Sequence, residues 1–157
     1  GDGSLDYPDR VLKQFDIVVA AIHSGFKATK EAMTRRISKA LENEYVDVLD
    51  HPTGRVIGQR PPYEVDIEHI FDVAKANKKL LEINAMIDRL DLRDSHIKAA
   101  IEKGIKLTIG TDSHSTEHLR YIELGVAQAR RGWATREDIV NTLPLKKLKS
   151  RLPKLQI

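Results

Sequence analysis

The chain contains no cysteine among its 157 residues. This absence excludes disulfides, thiol nucleophiles and thiolate metal sites, so any metal must bind to His, Asp, Glu or backbone oxygen. No run of about 18 apolar residues occurs, which excludes a membrane-spanning helix. The first residues, GDGSLDYPDR, lack the basic and apolar regions of a secretory signal. We therefore expect a cytoplasmic protein without membrane contact.

Positive charge is concentrated at the C-terminus. The chain carries 26 basic and 23 acidic residues, for a net charge of +3, yet residues 142–157 contain five basic residues and no acidic one. This segment, which we expect to form a basic tail or helix beginning near Pro144, has two interpretations. Charge runs commonly form a solvated helix face, which is the favoured interpretation, and basic segments also neutralise nucleic-acid phosphates.

Strand-like and helix-like segments alternate along the sequence. Short runs rich in Val, Ile and Leu predict strands at 15–22, 45–49, 79–84 and 105–110. Each run is followed by a polar loop and then by apolar residues at helical spacing, which predict helices over 29–43, 66–77, 94–104 and 117–131. This alternation predicts an α/β fold with parallel strands and outer helices, whose polar loops meet at the carboxyl ends of the strands.

Three histidines and one aspartate occupy equivalent positions just after these predicted strands: His23, His51, Asp112 and His114. Imidazole and carboxylate together suit zinc, manganese or iron, whereas carboxylates alone would suit magnesium better. A single histidine of this kind is more often a capping or core residue. Their repetition at strand ends favours a joint metal site. His114 has an alternative role as an acid or base.

Other polar residues near the strand ends have less specific interpretations. Glu82 and Asn84 alternate along the third strand and predict either contacts around the site or a hydrogen-bonded core pair. Arg55 and Arg89 follow strand ends in loops, where a guanidinium can clamp a phosphate. The alternative for these arginines is an ordinary salt bridge to the nearby aspartates, Asp88 and Asp91.

A small aromatic and basic group lies at the end of the predicted helix 117–131. It consists of Arg130, Arg131 and Trp133, the last being the only tryptophan in the sequence. Such a group suits nucleic acid, but a tryptophan at a helix end more often anchors packing, and that is the favoured interpretation. His69, His96 and His118 lie in or near predicted helices, and we expect them at the surface.

Several enzyme classes find no support in the sequence. It contains neither a P-loop nor a Gly-rich dinucleotide fingerprint, and HExxH and GxSxG motifs are also absent.

The motifs after the predicted strands resemble, in order, those of the PHP (polymerase and histidinol phosphatase) domain. The version at the C-terminus of bacterial and archaeal family X DNA polymerases is the most similar, and the match extends over nearly the whole chain. The matching segments are 21–24 (AIHS), 50–55 (DHPTGR), 81–85 (LEINA), 89–92 (RLDL), 110–115 (GTDSHS), 130–133 (RRGW) and 140–142 (VNT).

This resemblance implies a distorted (β/α)7 barrel with a trinuclear metal site that hydrolyses phosphoesters. In the polymerase version it implies a manganese-dependent 3′-5′ exonuclease acting on DNA in repair. His23, His51, Asp112 and His114 fall on the family's metal-ligand positions, with manganese or zinc expected and magnesium or iron as alternatives. His114, Arg55 and Arg89 are candidates for catalytic or phosphate contacts. Two other functions stay open: a small-molecule phosphatase of the histidinol-phosphatase type, and a non-catalytic module that holds DNA.

The sequence departs from the family pattern at its N-terminus, because no histidine precedes His23. The family's earlier metal-binding motifs are therefore missing, and we expect residues 1–157 to be the C-terminal portion of the domain, with polymerase domains upstream. We expect the isolated chain to be inactive. An open sheet leaves strand edges and an inward apolar face uncovered, for which Val18, Val48 and Ile109 are candidates, so we also expect self-association.

Overall fold

Four parallel strands form the centre of the fold. The computed structural model describes residues 2–152. The strands are β1 (Val19–Ala20), β2 (Val48–Leu49), β3 (Leu80–Asn84) and β4 (Leu107–Gly110), and they lie side by side in the order β1-β2-β3-β4. Every neighbouring pair is parallel, with Val19 opposite Val48 and Val48 opposite Leu80. The predicted parallel α/β arrangement is confirmed for this four-stranded sheet.

Helices connect the strands and follow the last one. They are α1 (Asp9–Leu12), α2 (Lys30–Glu42), α3 (Ile67–Ala76), α4 (Asp94–Glu102), α5 (Ile122–Arg131) and α6 (Leu145–Arg151). Short 3₁₀ segments cover Thr116–Tyr121, Arg136–Asp138 and Val140–Thr142. Thr29 and Asp66 cap α2 and α3, since their side-chain oxygens accept hydrogen bonds from the backbone N–H groups of Ala32 and His69. None of the helices within residues 2–152 is long and apolar enough to cross a membrane.

The first strand is much shorter than the sequence predicts. Only Val19 and Ala20 pair as a strand, and both Phe15 and Ile17 are exposed. The apolar run therefore begins several residues before the segment that pairs with β2.

One face of the sheet packs against α2–α5 and forms the main core. Side chains that alternate along the strands point to this face and are almost completely buried. They include Leu49, Leu81, Ile83, Leu107 and Ile109, which pack with Met33, Ile37, Leu41, Ile70, Phe71 and Ile97 from the helices. Gly125 lets α5 approach closely, because a Cβ at this position would collide with Ile109 and Ala85.

The opposite face of the sheet carries a second, smaller apolar cluster. Val48 and Leu80 pack there with Val140 and Leu152, and Leu143 and Leu148 lie against them. Leu148 of the basic helix α6 and Leu152, directly after that helix, thus cover a sheet face that would otherwise be open. Of the three candidates for an uncovered inward face, only Val48 lies on this face, and it is covered there, with 4% of its surface exposed. Val18 and Ile109 instead pack with the helix-side core, because side-chain direction alternates along each strand.

The outer edge of β4 is capped by a side chain. The Asn141 Oδ1 accepts hydrogen bonds from the backbone N–H of Ile109 (2.8 Å) and from the Thr108 hydroxyl (3.0 Å). The Asn141 Nδ2 donates to the carbonyl of Ile109 (3.0 Å), and Ile139 forms a parallel bridge with Leu107. Asn141 therefore satisfies the main-chain groups of Ile109 that a further strand would otherwise pair with.

Candidate functional site

His23, His51 and Asp112 follow β1, β2 and β4, so they share the carboxyl edge of the sheet. The structure brings His23 and His51 together, with their ring centroids 5.5 Å apart and the rings tilted by 43°. His51 is only 1% exposed, whereas His23 lies at the surface. Two of the four predicted ligands therefore form a direct pair.

His51 is held in a tight turn directly after β2. Its φ of 28° lies in the left-handed region, and its backbone N–H donates to Oε2 of Glu82 at 3.2 Å. The imidazole Nε2 lies 3.3 Å from Oδ2 of Asp50. The Nδ1 atom is buried and has no hydrogen-bond partner within residues 2–152. Burial lowers the pKa of His51, against the opposing charge of Asp50, which favours the neutral imidazole that binds metals.

Two carboxyl groups lie beneath this turn. Burial, with a hydrogen bond to Asp50 and the charge of that residue, raises the pKa of Glu82 above its usual 4.5. The protonated form of Glu82 is therefore favoured beside Asp50. Asn84 completes the contact, since its Nδ2 lies 3.4 Å from Oδ1 of Asp50. Both predictions for Glu82 and Asn84 are met in part: they are buried, and they support the residues around His51.

Asp112 and His114 form the second part of the edge. Asp112 has a φ of 48°, and its Oδ2 accepts a hydrogen bond from Nε of Arg89 at 3.1 Å. The ring of His114 is 75% exposed and lies against its own loop, with Nδ1 2.7 Å from the carbonyl oxygen of Asp112. The Asp112 carboxylate is thus neutralised by an arginine. The charges of Arg89 and Asp112 both act on the pKa of His51, so the two parts are electrostatic neighbours.

Arg55 fastens two loops of the site to each other. Its Nε donates to the carbonyl of Arg89 at 2.7 Å, and its Nη2 donates to the carbonyl of Leu90. Among the described residues Arg55 forms no ion pair. The alternative of a salt bridge with Asp88 or Asp91 is therefore not the contact that the structure shows.

Asp91 is a completely buried acid that supports the loop after β2. It accepts hydrogen bonds from the backbone N–H groups of Thr53 (2.8 Å) and Gly54 (3.0 Å) and from the Thr53 hydroxyl (2.9 Å). Sequence reasoning did not single out Asp91 or Asp50 as site residues. Their positions in the sequence could have identified them, because Asp50 directly follows β2 and both residues lie inside the motifs that carry the family resemblance.

Taken as a metal site, the arrangement is incomplete. Within residues 2–152 no group of three or more His, Asp or Glu side chains is arranged to hold a metal ion. The donor types nevertheless suit a divalent cation, and the buried Nδ1 of His51 is a nitrogen without a partner in this part of the chain. The residues therefore fit a metal in kind, with His51 as the best-placed donor.

The chain is an α/β protein with a parallel sheet that carries imidazole and carboxylate groups at its carboxyl edge. Comparison with known proteins identifies relatives of this chain. The chain is 43% identical over 151 residues, 96% of its length, to the DNA polymerase/3′-5′ exonuclease PolX of Bacillus subtilis. It is also 31% identical over 150 residues, 90% of its length, to a probable phosphatase of Thermoanaerobacter sp. strain X514. A probable phosphatase of Clostridium acetobutylicum is 31% identical over 121 residues, 72% of the chain.

These matches confirm the resemblance that the motifs indicate. The chain belongs to the family X DNA polymerase/exonuclease family and corresponds to one part of such a protein. It spans 26% of the length of the Bacillus polymerase, 59% of the Thermoanaerobacter phosphatase and 47% of the Clostridium phosphatase. No protein-family model matches the chain.

Proposed function

We propose that the chain is part of a metal-dependent phosphoesterase domain, the 3′-5′ exonuclease portion of a family X DNA polymerase that processes DNA ends in repair. The observation that carries this proposal is His51, a buried imidazole at the carboxyl end of β2, paired with His23 and with its Nδ1 unpartnered within the described residues. The four strands are then the C-terminal portion of a (β/α)7 PHP barrel. The hydrolytic names of the relatives support the same class of chemistry.

In this proposal His23, His51, Asp112 and His114 contribute to holding divalent cations, with manganese or zinc preferred because imidazole is abundant. Bound metal would supply hydroxide at neutral pH and stabilise the attacking and leaving oxygens of the phosphoester. Neutral His51 offers its lone pair without first losing a proton, since burial lowers its pKa. Asp50 and Glu82 orient His51, because Asp50 contacts its imidazole Nε2 and Glu82 accepts a hydrogen bond from its backbone N–H.

Arg89 is the proposed phosphate contact, and Arg55 positions it. The Nη1 of Arg89 is buried and has no partner within residues 2–152, while its Nε is bound to Asp112. A phosphate oxygen at this guanidinium would receive a charge-assisted hydrogen bond. Arg55 fixes the backbone of Arg89 through its contact with that residue's carbonyl. His114, which is exposed, is available as a ligand or as a general acid or base.

The test uses the chain alone and the protein extended by its natural upstream sequence. We expect the chain alone to show very low activity. The extended protein should remove nucleotides from the 3′ end of single-stranded DNA in the presence of manganese. The variant His51→Gln should lose this activity and retain its circular dichroism spectrum. His69→Gln, which changes an exposed histidine on α3, is the matched control and should remain active. Unchanged cleavage by His51→Gln would refute the assignment.

A small-molecule phosphatase is the second candidate, because several relatives carry the name probable phosphatase. The same proteins assayed with p-nitrophenyl phosphate and with an end-labelled oligonucleotide separate the two. Preference for the monoester, with no trimming of the oligonucleotide, would favour the phosphatase. Oligonucleotide binding without hydrolysis of either substrate would favour a non-catalytic DNA-holding module.

A further inference from the structure

Trp133 is the most exposed large apolar side chain among the described residues, at 74%. The expectation that it anchors packing at the end of α5 is wrong. Lys98, on α4, places its Nζ 5.6 Å from the centre of the indole ring. Together with Arg130 and Arg131 these residues define what we call the Trp133 surface. None of them belongs to the site at the carboxyl edge of the sheet.

The backbone conformation of Trp133 is one that usually requires glycine. Its φ is 65°, and it follows the last turn of α5. The N–H of Ala134 donates to the carbonyl of Ala129, and the N–H of Trp133 donates to that of Arg130, which is the hydrogen-bond pattern of a Schellman helix end. A bulky residue in the left-handed region has an energetic cost, and here the side chain gains little burial in return. Such a residue is an outlier that indicates a role outside folding.

The position of the indole is fixed by the packing of two helices. Gly132 lies against α4 so closely that a Cβ would collide with Ile97 and approach the carbonyl oxygen of Asp94 to 3.0 Å. Arg131 donates to Oδ2 of Asp94 at 2.9 Å, which ties the end of α5 to the start of α4. Trp133 is therefore presented on a rigid corner.

The charges around the indole are three cations, Lys98, Arg130 and Arg131, and two carboxylates, Glu102 and Asp94, which contact Lys98 and Arg131. Among the described residues Arg130 forms no ion pair, and Lys98 has only an exposed contact with Glu102 at 3.9 Å, which stabilises little. An exposed aromatic ring among cations is the combination that binds single-stranded nucleic acid, since bases stack on the ring and the cations neutralise phosphates. An apolar protein partner would leave these cations desolvated and unpaired.

We propose that the Trp133 surface is a stacking platform for single-stranded nucleic acid, separate from the site at the carboxyl edge. One base stacks on the indole, and Lys98 and Arg130 contact the flanking phosphates. The inference rests on the nucleic-acid substrate of the proposed function and adds a second contact with the strand. A platform of this kind would hold a strand independently of any metal.

The experiment exploits Trp133 as the only tryptophan of the chain. Its fluorescence is followed while an oligothymidylate of about 10 nucleotides, a length suited to stacking platforms, is added with EDTA present to exclude metal. We expect saturable quenching that weakens as salt is raised. Binding of a fluorescein-labelled oligothymidylate, measured by anisotropy, should give the same dissociation constant.

Variants separate stacking from charge. Trp133→Gly suits the left-handed backbone and should not destabilise the chain, yet it should weaken binding about tenfold or more. Trp133→Phe should restore part of the affinity, and Lys98→Gln and Arg130→Gln should each lower the dependence on salt by about one counterion. Phe15→Leu, which changes another exposed aromatic residue, is the matched control and should bind normally.

Three results would overturn the inference. The first is oligonucleotide binding, detected by anisotropy, without quenching of Trp133, and the second is unchanged affinity in Trp133→Gly. The third is absence of oligonucleotide binding together with burial of the indole as the chain concentration rises, which would show that this surface mediates self-association. Because EDTA is present, none of these results depends on hydrolysis. If the unmodified chain does not bind the oligonucleotide while the extended protein still cleaves DNA with manganese, the platform alone is rejected. If Trp133 is quenched but the extended protein does not cleave DNA, only the exonuclease assignment is rejected.

Discussion

Nε of Arg89 lies 3.1 Å from Oδ2 of Asp112, so the carboxylate that follows β4 is paired with a guanidinium. Both side chains are mostly buried, with 17% and 23% of their side-chain surface exposed. A positive charge at this point competes with a cation for Asp112, and it also lowers the pKa of His51. In the proposed function Arg89 therefore has two opposed effects, since it weakens metal binding at Asp112 and strengthens phosphate binding.

The variant Arg89→Met should reveal both effects. Removing the guanidinium frees Asp112 and removes a positive charge that repels the metal. We expect manganese to bind the chain about fivefold more tightly, because the repulsion between two screened cations a few ångströms apart is of that order. In the protein extended by its upstream sequence, phosphodiester hydrolysis should fall because the variant lacks the guanidinium that we propose as the phosphate contact. Isothermal titration calorimetry measures the first effect and an exonuclease assay the second. Weaker manganese binding in this variant would contradict the competition described above.

The cap on β4 supplies a test of self-association. Asn141→Leu removes both hydrogen bonds to the main chain of Ile109, so it should destabilise the chain by about 1–3 kcal/mol and expose a pairing edge. We expect the chain to self-associate and this variant to do so at lower concentration, measured by light scattering across a dilution series. Thr108→Val removes only a hydroxyl contact with Asn141 and should behave as the unmodified chain. Monodisperse monomers of Asn141→Leu at high concentration would show that the edge is not a site of association.

His96 provides a pH test away from the site. Burial and the charges of Arg93 and Arg55 lower its pKa from 6.5 to about 4. The folded chain therefore binds fewer protons than the unfolded chain between these values, so the contribution of His96 to stability is complete above pH 6.5 and is lost as the pH falls towards 4. His96→Leu retains packing against Phe71 and cannot titrate.

We expect His96→Leu to gain, relative to the unmodified chain, at most about 2 kcal/mol of unfolding free energy between pH 7 and pH 5. Urea denaturation at the two pH values measures this difference. His69→Leu, which changes an exposed histidine, should show no comparable gain. An identical pH dependence for His96→Leu and the unmodified chain would mean that the buried imidazole does not titrate as described. The half-buried position of His96 also corrects the expectation that it lies at the surface.

Periodicity predicts the four strands, the helices that begin near Thr29 and Asp66, and the parallel arrangement, because burial on one face imposes a regular pattern on the sequence. It also places His51 and Asp112 at strand ends. The directions of their side chains depend on loop backbones in the left-handed region, with φ values of 28° and 48°, which residue type alone does not indicate. The exposure of Trp133 and the cap formed by Asn141 arise in the same way, from the paths of irregular segments.

The central claim is that His51 binds a divalent metal at the carboxyl edge of the sheet. Pulsed electron paramagnetic resonance of manganese added to the chain tests it most directly, because a coordinated imidazole gives a nitrogen coupling to the metal. We predict this coupling in the unmodified chain and in His69→Gln, and its loss or marked reduction in His51→Gln. The same nitrogen coupling in His51→Gln, or none in the unmodified chain at saturating manganese, would contradict the claim.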